Sequence, residues 1–105
     1  MGEALESFVS DRHFQLWRYT VSHSQLLLRS TRDNDHDTRV EVLFKGVRRV
    51  DLPTSFDGLT VRRDGSGFVA KGHGWAGSIV ALAMFTIEDK GEYSEPSALF
   101  IDGVR

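Results

Sequence analysis

Cysteine is missing altogether from the 105 residues, and proline occurs only twice. Without thiols there is no thiolate nucleophile, no redox switch, no iron–sulfur cluster and no Cys-ligated zinc, and the core holds together without disulfides. A chain without cysteine suits the reducing cytoplasm, which is the expected location. No apolar run approaches the ~18–20 residues that cross a bilayer, so neither a transmembrane helix nor a membrane partner is expected. The opening MGEALESFVSDR has no basic n-region and no apolar h-region, so it does not read as a secretory leader. An excess of positive charge is missing too: Lys+Arg is 13 against Asp+Glu 15, a formal net charge of -2. That balance argues against general nucleic-acid binding, which draws its affinity from clustered Lys and Arg. The ten glycines follow no period, which excludes a collagen-like chain.

What is present is ordinary globular composition, with 40% hydrophobic and 27% charged residues, at a length that suits one compact domain, 1–105. A domain of this size hides about two-thirds of the surface its unfolded chain exposes, enough for one core.

The hydrophobic pattern is mostly of period two. Residues 3–11 are the exception: Leu5, Phe8 and Val9 fall at helical spacing, so a short N-terminal helix is expected there. From Phe14 the chain alternates, with Gln15, Trp17, Tyr19 and Val21 on one side and Phe14, Leu16, Arg18 and Thr20 on the other. Ser22–His23–Ser24 then links this strand to QLLLRST, so residues 14–31 read as a hairpin. After the polar loop 31–38, Val40, Val42 and Phe44 alternate against Arg39, Glu41 and Leu43. VRRVDL continues as strand to Pro53, PTSFDG reads as a loop and LTVRR as a short strand. Asp64–Gly65–Ser66–Gly67 supplies a turn that needs positive φ, and FVAK pairs back across it. The Gly-rich segment 72–77 reads as a loop. SIVALAMFTIED could be a buried strand or a buried helix by composition; the turn signal Asp89–Lys90–Gly91 favours a strand, with EYSEPSALFIDG returning beside it. The expected fold is mainly β: a single-domain antiparallel β-sandwich or small barrel of about seven to eight short strands.

Several motifs are weaker than they look. Gly72–His73–Gly74–Trp75–Ala76–Gly77 is a literal G-x-G-x-x-G, but too few residues follow Gly77 to complete a dinucleotide-binding unit, and Trp75 would crowd a diphosphate. Asp33, Asp35 and Asp37 place oxygen ligands at alternating positions, yet the Gly and Glu of an EF-hand loop are replaced by Thr38 and Phe44. The four histidines, His13, His23, His36 and His73, show no metal-ligand spacing, although a closed sheet could gather His23 and His73 with Asp35 or Asp37. No nucleophile elbow is present.

Arg48, Arg49, Arg62 and Arg63 form the one basic cluster. If strands 47–52 and 59–63 were antiparallel neighbours, outward arginines from both would make a stripe suited to an acidic protein surface. Trp17 is expected in the core, and Trp75 partly exposed at its edge. The leading expectation is therefore a non-catalytic, cytoplasmic protein-interaction module that engages an acidic partner through Arg48, Arg49, Arg62, Arg63 and Trp75. The alternative is a small-ligand or metal-binding domain using the 33–37 and 72–77 loops, with Asp33, Asp35 and Asp37 as ligands. An enzyme assembled from histidines and carboxylates is a third reading, with no catalytic residue assigned and no cofactor implied. The doubly apolar stretch 79–85 leaves self-association open.

Overall fold

The computed structural model describes residues 4–33 and 35–90. These form eight strands: β1 (Ser7–Thr20), β2 (Gln25–Ser30), β3 (Arg39–Lys45), β4 (Arg49–Asp51), β5 (Ser55–Asp64), β6 (Gly67–Gly72), β7 (Trp75–Val80) and β8 (Ala83–Asp89). All pairings are antiparallel, within one sheet of order β4-β7-β6-β5-β1-β2-β3-β8.

This sheet curls on itself. Phe44 of β3 packs edge-on against Phe68 of β6, with ring centroids 5.4 Å apart, although three strands lie between them in the sheet. Leu5 N donates to Met84 O at 2.8 Å, tying the start of the chain to β8, the strand at the far side of the sheet. The enclosed core includes Phe14, Leu28, Val42, Phe44, Val61, Phe68, Ile79 and Met84, which come from seven strands. Curling of this kind leaves β4 and β8 at the ends of the sheet and lets a short chain enclose one apolar core.

Within β3 the alternation holds: Val40, Val42 and Phe44 belong to this core. Leu43 belongs instead to a second, smaller cluster on the outer face with Leu27, against which Trp17, Phe85 and Ile87 pack.

The chain of β1 departs from the sequence reading in two places. Residues 4–6 are not helical and strand begins at Ser7, so the short N-terminal helix is not formed. Pairing of Phe8 with Val61 of β5 sends Phe8 to the core and leaves Val9 72% exposed, a period-two outcome that a segment with only three apolar residues could not resist. Further on, the pairing of β1 with β2 slips between Leu16 and Arg18. This bulge reverses the faces beyond it, so that Tyr19 pairs with core Leu26. Trp17, expected in the core, lies on the outer face with Leu27, because Phe14 and Leu16 before it take the core face and alternation sends Trp17 the other way.

The segment 72–77 is no loop. His73 and Gly74, the latter at φ 78°, make a two-residue turn, and strand resumes at Trp75. The apolar stretch 78–88 is strand throughout except for the break at Ala81–Leu82, which separates β7 from β8. A strand returning from residues 92–103 lies outside the described residues.

Candidate functional site

The four arginines of the basic cluster do not form one stripe. β4 and β5 are separated by β7 and β6, so Arg48 and Arg49 are not beside Arg62 and Arg63. The assumption of neighbouring strands fails because β4 pairs with β7 instead, Val50 opposite Ile79, which buries both against the core.

Arg63 is committed to closing the barrel. Its guanidinium donates to Leu82 O at 2.7 Å and Ala81 O at 3.3 Å, lies 3.6 Å from Glu6, and covers the Phe68 ring at 4.2 Å. Arg12, Arg29 and Arg39 are likewise spent on Thr38 and Ser30, on Glu41, and on Asp89. By contrast, Arg48, Arg49 and Arg62 are exposed and have no side-chain hydrogen bond or ion pair among the described residues.

Arg48 and Arg49 flank a depression of about 320 Å³ lined also by Leu16, Tyr19, Leu26 and Val50. It lies between β4 and the second half of β1, where Leu16 N donates to Thr54 O at 2.8 Å and closes one side. The β1 bulge supplies Tyr19 here, 44% exposed and turned to the side of Leu26. Three backbone hydrogen bonds gather the neighbouring turns at this corner: Val47 N to Ser24 O, Arg48 N to Val80 O, and Leu82 N to Lys45 O. The corner consequently carries Val21 and Leu82, 76% and 75% exposed, beside the arginine pair. Of the four exposed large apolar side chains among the described residues, only Val9 lies elsewhere. Alternation alone does not place Tyr19 at this corner, because a bulge leaves no residue signature in FQLWRY.

Trp75 is half-buried and turned inward, its ring 4.5 Å from that of Phe56, and its indole Nε1 is buried without a hydrogen-bond partner among the described residues. It packs as an edge of the core, away from the Arg48–Arg49 corner at the opposite end of β7.

The acidic loop is organised by its own contacts. Asp33 Oδ1 accepts from the backbone N of Asp35 and of His36, each at 2.8 Å, and from His36 Nδ1 at 3.1 Å. The donation by Asp35 N, followed by the His36 contacts, holds the Asp33 carboxyl below its ordinary pKa. Asp35 and Asp37 are exposed. Among the described residues no three His, Asp or Glu side chains are placed to hold a metal ion.

His23 and His73 are not brought together: the 21–24 turn is tied to the Val80 end of β7, and His73 sits beyond the Trp75 end. A pairing the sequence reading missed is His13 Nδ1 with Asp57 Oδ1 at 2.7 Å, directly opposed on β1 and β5 and both exposed. It aligns an imidazole with a carboxylate as a cross-strand surface pair.

Comparison with family models, with curated proteins and with solved structures finds no match. The reading of function rests on this chain's own geometry.

Proposed function

We propose that this is a non-catalytic, cytoplasmic protein-interaction module that docks an acidic, partly apolar protein segment at the Arg48–Arg49 corner. The observation that carries the proposal is the contrast among the arginines. In a chain with more acidic than basic residues, most described guanidiniums are consumed internally, while these two stand exposed on the rim of an apolar depression. Leu16, Tyr19, Leu26 and Val50 offer a floor for an aliphatic or aromatic side chain, and the arginines offer bidentate partners for carboxylates around it. Tyr and Arg are also the residue types that concentrate binding energy at the centre of interfaces.

The test compares the wild-type chain with the Arg48→Glu/Arg49→Glu double variant in affinity capture from source lysate at two salt concentrations. A partner that weakens with salt, is lost from the variant, and is recovered when acidic residues in its docking segment are changed to Lys supports the reading. Equal capture by the variant overturns it, as does sedimentation showing that the chain engages only a second copy of itself.

A further inference from the structure

A second surface, on a different face, has the chemistry of a small-molecule site. On β5 the core residues Leu59 and Val61 alternate with Thr60 and Arg62, so the latter two face outward. Thr60 pairs with Lys71 of β6, and Arg62 with Val69, which places the two cations diagonally on one face of adjacent strands. Diagonal neighbours of this kind are about 7–8 Å apart at the backbone, within reach of one anionic group for long side chains. Neither Arg62 nor Lys71 makes an ion pair among the described residues, although Asp64 shares the face of Arg62 two residues on.

Two depressions adjoin at this point. One, of about 290 Å³, has Arg62 and Lys71 over a floor of small groups from Val69, Ala70, Ala76 and Gly77. The other, of about 410 Å³, opens where β1 bulges away from β5 between Ser10 and His13. Thr60 and Lys71 line both, and Ser10, Asp11 and His73 line the second. Gly58, at φ 78°, brings the backbone close beneath the His73 ring, so no side chain fills the space.

The geometry points to a binding site for a small phosphorylated polyol, such as a sugar phosphate. The phosphate lies between the Arg62 guanidinium and the Lys71 ammonium, where N–H donors meet its oxygens. The hydroxyl-bearing part extends over Thr60 into the bulge depression, where the Asp11 carboxylate accepts from hydroxyl groups beside the His73 ring; Val9, opposite Thr60, gives an apolar wall, and the Ser10 hydroxyl is already taken by Arg12 N. A bare anion would use only the first depression. The acidic Asp11 in the second favours a neutral, hydroxyl-rich extension over a second charged group.

Backbone amide NMR shifts of the full chain, titrated with ribose 5-phosphate, ribose and inorganic phosphate, test the site. The expected result is a saturable shift at Thr60, Arg62, Lys71 and His73 with ribose 5-phosphate, weaker binding of inorganic phosphate, and no response to ribose. Arg62→Gln and Lys71→Met, both on exposed side chains, should each weaken ribose 5-phosphate by about tenfold with an unchanged melting temperature. Asp11→Asn should weaken ribose 5-phosphate and leave inorganic phosphate unaffected. Absence of a saturable shift, or equal affinity in the Arg62→Gln/Lys71→Met double variant, overturns the site. Equal affinity for inorganic phosphate and ribose 5-phosphate overturns the polyol assignment. The Arg48→Glu/Arg49→Glu variant should bind ribose 5-phosphate as the wild type does, so this site and the docking corner fail independently.

Discussion

Arg29 and Glu41 face each other across β2 and β3 as a fully buried ion pair, Nε to Oε2 at 2.7 Å and Nη2 to the same oxygen at 2.5 Å. They lie on the outer face of the sheet, where Trp17 stacks on the Arg29 guanidinium at 4.5 Å and Arg39 stands 3.8 Å from Glu41. Removing Glu41 takes the carboxylate from a guanidinium that is buried away from water. Arg29→Met and Glu41→Leu, each of which leaves one buried charge without this partner, should therefore each destabilise the fold by about 3–5 kcal/mol, whereas Arg29→Met/Glu41→Leu should cost less than the two single changes added together. Urea denaturation of the four proteins in this cycle measures the coupling, and strict additivity would show that the pair is not the unit holding this face.

Two glycines separate steric from conformational cost. A Cβ on Gly77 would stand 2.0 Å from the backbone oxygen of Asp51, so Gly77→Ala must displace the chain leaving β4. Gly65, at φ 63° in the β5–β6 turn, has open space around it. Gly65→Ala is expected to cost about 1–2 kcal/mol from backbone strain alone, and Gly77→Ala more than about 3 kcal/mol. Loss of amide-exchange protection at Val50 should accompany the Gly77 change and be absent from the Gly65 one.

Trp75 carries an internal conflict: its ring packs on Phe56, but its buried N–H has no partner among the described residues. Trp75→Phe keeps most of the ring contact and removes the unpaired donor, whose burial costs about 1–3 kcal/mol. Its thermal stability should stay within about 1 kcal/mol of the wild type, while Trp75→Ala should lose about 3–5 kcal/mol. A large loss in the Phe variant would mean that the N–H finds a partner in solution.

The lowered pKa of Asp33 gives a signed pH effect. Because its folded-state value lies below the ordinary one, ionisation favours the folded loop. That contribution is present at neutral pH and is lost as the pH falls through the depressed value. A carboxyl-carbon NMR titration should place the Asp33 midpoint below the ordinary aspartate value. In Asp33→Ala the amides of Asp35 and His36 should shift and exchange faster, with the melting temperature of the domain nearly unchanged because the carboxylate is exposed.

What local sequence determined is the strand character of the chain and much of its facing. Val40, Val42 and Phe44 alternate with Arg39, Glu41 and Leu43, and a β-strand turns successive side chains to opposite sides, so the core face of β3 followed from the residues alone. Asp64–Gly65 likewise specified its turn, since glycine accepts the positive φ that a tight reversal needs. Tertiary structure decided the rest. Whether Tyr19 faces inward depends on a one-residue slip against β2, and a slip costs the strand no change in composition. The separation of Arg48 and Arg49 from Arg62 and Arg63 depends on β4 pairing with β7, a choice made by burial of Val50 against Ile79 among strands distant in sequence. Both candidate surfaces lie where such non-local pairings bend or end. Periodicity reports which face a strand buries; it carries no information about which strand lies beside it.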